Sequence, residues 1–184
     1  IYRDNIFKLL NKSIAIPGDI IELGVYKGQN SYIIGNFLQT NNITDKKYIG
    51  FDTFCGYTEE DVQTAIELGD QPDGIMSNQE SGRWMVSMDD VTDRLKNENL
   101  TNYCKLIKGD IKQTVPAYLE SVNDDYPISM VYVDCNVYLP AITALRACKN
   151  FLSDGAMIVV DEHSVGGETR ALIEFAQEYN VKIH

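Results

Sequence analysis

Short, continuous apolar runs alternate with segments of helical periodicity along most of this chain. Asp19 to Gly24, Lys47 to Phe51, Tyr103 to Lys108, Ile128 to Val133 and Ala156 to Val160 have the length and continuity of strands covered on both faces of a parallel sheet. Between them the spacing predicts helices. Residues 1–12 carry Tyr2, Ile6, Leu9 and Leu10 as an amphipathic face, and Ser31 to Leu38 and Met88 to Leu95 follow. A helix opened by Thr114-Val115-Pro116 runs to about Val122. Another, with Pro140 in its first turn, buries Ile142, Leu145, Cys148 and Leu152. A last one, after Gly166-Gly167, places Leu172, Phe175, Ala176 and Tyr179 on one face. This alternation predicts an α/β fold: a Rossmann-like, doubly wound, mainly parallel sheet with helices on both faces. In such sheets ligands bind outside the carboxyl ends of the strands.

The chain has 184 residues, 44% of them apolar, which is enough for a single domain spanning 1–184 with a real core. The stretch 57–95 breaks the pattern. It holds ten acidic residues against two basic ones, Arg83 and Arg94, and is broken by Gly69, Pro72, Gly74 and Gly82. Its middle reads as a loop, and the whole reads as a lid or substrate insertion, with a solvated surface excursion as the alternative. Trp84 is then a pocket wall or a loop anchor. A net charge of −11 and a pI near 4.5 repel phosphate backbones and anionic bilayers, so neither nucleic acid nor membrane is an expected partner. Cys55, Cys104, Cys135 and Cys148 show no C-x-x-C pairing, and no secretion signal is visible, so a reduced, cytoplasmic protein is expected. Val181 to His184 read as a strand just begun, and the chain opens at Ile1, so the domain reads as trimmed at its termini.

The first strand runs into Glu22-Leu23-Gly24-Val25-Tyr26-Lys27-Gly28 and a helix opened by Ser31. A strand, a glycine turn and a helix N-terminus make a place for a nucleotide-like ligand, through close backbone approach and free N–H groups. The spacing is E-x-G-x-x-x-G rather than G-x-G-x-x-G. Glu22 would repel a diphosphate but attract the ammonium of S-adenosylmethionine (SAM). Gly24, Tyr26, Gly28 and Ser31 are then the cofactor turn. Asp52, at the end of the second strand, is placed to accept hydrogen bonds from a ribose diol. Asp110 and Ile111, after the third strand, are a polar and an apolar residue suited to an adenine. Asp134 and Asp161 end the fourth and fifth strands. Asp134, Asp161 and Glu162 would repel one another unless a cation lay between them, and oxygen-only ligands suit Mg²⁺ best. His163, one residue further, is a candidate general base beside Asp134, with a surface loop histidine as the alternative. Helix capping or contact with SAM is the competing role for one or two of Asp134, Asp161 and Glu162, and a helix cap or loop carboxylate is the alternative for Asp52.

Taken together these residues resemble class I SAM-dependent O-methyltransferases of the macrocin O-methyltransferase type, which act on sugar hydroxyls in natural-product biosynthesis. The resemblance rests on Glu22 to Gly28, Phe51-Asp52-Thr53-Phe54-Cys55-Gly56 and Lys108-Gly109 with Thr114-Val115-Pro116. It continues through Val133-Asp134-Cys135-Asn136-Val137-Tyr138 and Val159-Val160-Asp161-Glu162. It implies SAM as donor, a Mg²⁺ site at Asp134, Asp161 and Glu162, a small-molecule hydroxyl acceptor and a homodimer or higher homo-oligomer. Where the family shows D-x-D and D-D, this chain has Asn136 and Glu162 in the second positions, both still oxygen ligands. Substrate choice is expected between Gly56 and Leu95, whose acidity hints at a cationic acceptor such as an amino sugar. Two other readings remain open at this point: a nicotinamide-dependent oxidoreductase, and a non-catalytic domain that keeps the fold.

Overall fold

The computed structural model describes residues 2–70, 85–161 and 166–183. Its elements run α1 (Tyr2–Ser13), β1 (Asp19–Leu23), α2 (Gln29–Thr40), β2 (Tyr48–Asp52), α3 (Glu59–Leu68), α4 (Met88–Asn97) and β3 (Cys104–Lys108). They continue through α5 (Ile111–Glu120), β4 (Ile128–Val133), α6 (Tyr138–Cys148), β5 (Leu152–Val160) and α7 (Gly167–Tyr179). The five strands form one parallel sheet in the order β3-β2-β1-β4-β5. The chain therefore winds one way from β1 and the other way from β4, and the crossover point lies between those two strands.

The alternation of side chains in the central strands builds two apolar layers. On one face Ile21, Leu23, Ile49, Phe51, Val131 and Val133 pack against residues of α5, α6 and α7 such as Val115, Leu145 and Phe175. On the other, Ile20, Tyr48 and Met130 meet Ile6 and Leu10 of α1, Ile34 and Leu38 of α2, and Leu95 of α4. This two-sided cover explains why β1, β2 and β4 read as short, mostly apolar runs.

Several boundaries differ from the expectation. α2 opens two residues before Ser31, because Gly28 takes a left-handed conformation (φ 69°) and turns the chain into the helix without a side-chain cap. α5 opens at Ile111, because the Asp110 carboxylate accepts the Lys112 N–H at 2.9 Å and caps the helix there. Leu152 leaves the helical layer: a 3₁₀ turn at Lys149–Phe151 ends α6, and Leu152 opens β5. α3 occupies the start of the acidic stretch, where no element was expected. Its Thr58 hydroxyl accepts from the Asp61 N–H while the Asp61 carboxylate accepts from the Thr58 N–H, and Gly69 closes the far end at φ 68°. The middle of that stretch, 71–84 with Arg83 and Trp84, lies outside the described residues. No helix among the described residues is long and apolar enough to cross a membrane.

The amino ends of the strands are tied by one buried cation. The Lys46 ammonium, only 4% exposed, donates to the carbonyls of Ile16 and Gly18 and to the Ser129 hydroxyl at 2.9 Å. It thus joins the loop into β1, the approach to β2 and the start of β4. Replacing Lys46 with Met should strand those acceptors and cost about 2–4 kcal/mol of stability, read from urea unfolding. Ligand affinity should not move, because the knot lies at the end of the sheet away from the cavities described below. An unchanged urea midpoint would show that the knot carries no weight.

Candidate functional site

At the crossover point two backbone segments come closer than any side chain allows. Gly24 sits at φ 96°, and a Cβ there would fall 2.1 Å from the Asp134 carbonyl oxygen. Backbone bonds hold the approach, with Asp134 N–H donating to Leu23 O at 2.8 Å and Gly24 N–H to Phe51 O at 2.9 Å. Above it open two adjoining cavities. The first, of about 230 Å³, is lined by Gly24, Asp52, Asp110, Ile111 and Val137 among others. The second, of about 200 Å³, is lined by residues that include Lys27, Asn30 and Asp161. Tyr26 and Asp134 line both.

The structure thus brings Gly24, Tyr26, Asp52, Asp110, Ile111 and Asp134 to one cavity, with Asp161 beyond Asp134 in the next. Asp52 is already occupied in part. One carboxylate oxygen accepts the N–H groups of Val25 (2.7 Å) and Tyr26 (2.8 Å), and the other accepts that of Phe54 (2.6 Å). It therefore anchors the loops after β1 and β2 while still facing the cavity. Asp110 likewise caps α5 and pairs with the Lys112 ammonium at 3.1 Å. Asp161 accepts a hydrogen bond from the Tyr132 hydroxyl.

Three expected cofactor residues lie elsewhere. Gly28 and Ser31 belong to neither cavity wall. Gly28 passes under α4, where a Cβ would strike Val91 at 2.3 Å. The Ser31 hydroxyl is fully buried and donates to the Tyr48 oxygen at 2.8 Å. Glu22 departs most from the expectation. Its side chain is 1% exposed and does not reach either cavity. It accepts from Asn30 Nδ2 at 2.6 Å and from the Tyr48 hydroxyl, welding β1 to β2 and to the first turn of α2. Burial drives its carboxyl up to about 8 against the opposing effect of those two hydrogen bonds, with the charges of Asp52 and Asp161 adding to the rise.

Glu162 and His163 lie outside the described residues. Among the described residues no group of three or more His, Cys, Asp or Glu is placed to hold a metal ion. Two carboxylates, Asp134 and Asp161, do line the second cavity together, and a pair of oxygen donors from neighbouring strand ends fits part of a Mg²⁺ coordination shell.

Several wall residues were not anticipated. Tyr57, Asp61 and Pro140 line the first cavity, and Lys27 and Asn30 the second. The T-x-x-D capping pattern at Thr58–Asp61 was the available signal for the first group, since it places a rigid helix start next to Asp52. Glu168, 2% exposed, accepts the N–H of Asn136 at 2.8 Å, and Asn136 stands at φ 61°. No sequence signal pointed to this brace from α7.

The family described as Macrocin-O-methyltransferase (TylF) matches residues 4–183. No curated protein sequence gives a significant match. Among solved structures the chain is similar to CalS11, a calicheamicin methyltransferase, at 23% identity and a TM-score of 0.72, covering 95% of this chain and 70% of that one. It is similar to the O-methyltransferase NovP at 19% identity and a TM-score of 0.78, covering 100% of this chain and 74% of that one. Fibrillarin of Aeropyrum pernix with natively bound S-adenosyl-L-methionine shares the fold at 14% identity and a TM-score of 0.54, covering 92% of this chain and 59% of that one.

The Glu22 network yields a pH dependence. The folded chain keeps this carboxyl protonated up to about pH 8, whereas an ordinary glutamate ionises near 4.5. Its contribution to stability is therefore complete below pH 4.5 and is lost as pH climbs to 8. The wild type should lose on the order of 3 kcal/mol between pH 5 and pH 8 from this group. Glu22→Gln, which keeps an uncharged acceptor for Asn30, should flatten that slope when urea midpoints are compared across the range. Equal slopes in the two proteins would rule the buried acid out as its source.

Proposed function

The chain belongs to the Macrocin-O-methyltransferase (TylF) family of SAM-dependent O-methyltransferases, and we propose on that premise that it methylates a hydroxyl of a sugar-bearing small molecule with the help of Mg²⁺. The observation that carries this reading is the pair of cavities that meet at Tyr26 and Asp134. Methyl transfer needs donor and acceptor held in direct contact, and two cavities that share Tyr26 and Asp134 as lining offer room for the pair at their junction.

The first cavity suits the donor. Its walls carry four carboxylates, from Asp52, Asp61, Asp110 and Asp134, and an apolar side formed by Ile111, Val137 and Pro140. A ligand with a planar base, a diol and a net positive charge at sulfur and ammonium matches that lining, and a diphosphate does not. Asp52 keeps lone-pair capacity for a ribose hydroxyl beside the three N–H groups that it accepts. The second cavity takes the acceptor. CalS11 is described as a TDP-rhamnose 3'-O-methyltransferase, and a sugar hydroxyl is accordingly the acceptor group proposed for this chain.

In the transfer the acceptor oxygen forms its bond to the methyl carbon as the carbon–sulfur bond breaks, and the bonding pair stays on sulfur to give S-adenosylhomocysteine. Asp134, at the junction, orients the acceptor hydroxyl, and its proton passes to Asp134 or to His163. Asp161 is steadied by the Tyr132 hydroxyl and keeps its second oxygen for the cavity. Asp134 and Asp161, with Glu162, would hold Mg²⁺, which supplies Lewis acidity that lowers the acceptor hydroxyl's pKa.

Calorimetric titration of SAM, once with Mg²⁺ and once with a chelator, should give binding in both cases and turnover of a sugar acceptor only with the metal. Asp161→Asn keeps an acceptor for Tyr132 but removes a charge. It should cut turnover more than about 100-fold while leaving SAM affinity within about threefold. Full activity of that variant would end the metal assignment, and absence of SAM binding would end the donor assignment.

A further inference from the structure

The first cavity carries charge of one sign, and a single cation stands close behind part of it. Among the described residues its walls hold four carboxylates and no lysine or arginine. The Lys112 ammonium lines neither cavity. It lies 2.8 Å from the Asp61 carboxylate and 3.1 Å from that of Asp110, and both of these acids are in the cavity wall. Glu60 also comes within 3.4 Å, but it is largely exposed and screened by water.

This group of three is held in place by its surroundings. The Lys112 side chain is 13% exposed and springs from the first turn of α5, which Asp110 caps. One oxygen of Asp61 accepts the Thr58 N–H and hydroxyl, which leaves the other for the ammonium. Burial works against the charge on Lys112. The hydrogen bonds and charges of Asp61 and Asp110 outweigh it and hold the ammonium's pKa above its usual value. Two negative charges of the wall thus share one positive charge behind it.

Methyl transfer changes the donor's charge at one atom. SAM has a positive sulfur, and S-adenosylhomocysteine has a neutral one with the same base, diol and amino-acid tail. A wall of carboxylates attracts the first more than the second, and each charge added or removed shifts that preference. We propose that Lys112 is a specificity-determining residue of the donor site: by balancing Asp61 and Asp110 it sets how strongly the first cavity prefers SAM to S-adenosylhomocysteine. This assignment rests on the reading of that cavity as the SAM site. The balance bears on turnover from both sides. Too weak a preference leaves the product bound. Too strong a one holds the sulfonium of the ground state more tightly than the transition state, where that charge is dispersing.

The test is calorimetric titration of SAM and of S-adenosylhomocysteine, at low ionic strength, into the wild type and three variants. Lys112→Gln leaves two carboxylates unbalanced and should raise the ratio of SAM to S-adenosylhomocysteine affinity about three- to tenfold. Asp61→Asn removes one of those charges and should lower the ratio by a similar factor. The two shifts have opposite signs, so either variant is decisive if the other fails to fold. Arg170→Met is the control. It cuts an ion pair of 2.9 Å with Asp70 beyond the far end of α3, and neither partner lines a cavity. It should lower the melting temperature and leave the ratio unchanged. An unchanged ratio in Lys112→Gln or Asp61→Asn, or a shift of the same sign in both, would overturn the assignment. So would an Arg170→Met ratio that moves as far as that of Lys112→Gln, since the effect would then come from the seating of α3. Wild-type protein that binds neither ligand would bring down the donor reading and this proposal with it, an outcome separate from variants that keep the wild-type ratio.

Discussion

The ligand edge of this protein hangs on the Asp52 carboxylate. Two of the loops that shape the first cavity each contain a non-glycine residue in the left-handed region, Tyr26 at φ 48° after β1 and Phe54 at φ 53° after β2. Each such residue costs about 1 kcal/mol or more. The three N–H groups that these turns would leave unsatisfied, those of Val25, Tyr26 and Phe54, all end on Asp52. Hydrogen bonds to a charged acceptor contribute about 1.5–3 kcal/mol each, which outweighs the strain. The same carboxylate that lines the first cavity therefore sets the shape of the loops around it.

Beneath that edge the molecule divides its polar groups by depth. Glu22, Asn30, Ser31 and Tyr48 form a buried, hydrogen-bonded set between β1, β2 and α2. Asp110, Asp61 and Lys112 form a half-buried one between α3 and α5. Among the described residues Asp134 and Asp161 are the carboxylates that line the second cavity. Each carboxylate has its own environment, and the environments differ enough to give the acids separate duties.

The sheet was legible in the sequence because β1, β2 and β4 are covered on both faces and so read as short, mostly apolar runs. The strand-end rule then located Asp52, Asp110, Asp134 and Asp161 correctly at one edge. What it missed was the direction of side chains. Glu22 lies two residues after Ile20 and so shares the face covered by α2, which turns it away from the cavity; the parity of the strand contained that information. α3 escaped because its buried stripe is narrow, with Val62 and Ala65 as its buried apolar side chains among charged neighbours. Capping chemistry at Thr58 and Asp110 defined those helices better than their periodicity did. The brace from Glu168 to Asn136 joins positions far apart in the chain, and only the packing of α7 brings them together.

The Lys46 knot has an evolutionary consequence. It fastens the sheet at the amino ends of its strands, opposite the edge where the two cavities open. Cohesion and chemistry thus occupy different ends of the same strands. Substitutions around the cavities draw on a reserve of stability lodged out of their reach, so the residues that line them can change without first rebuilding the scaffold.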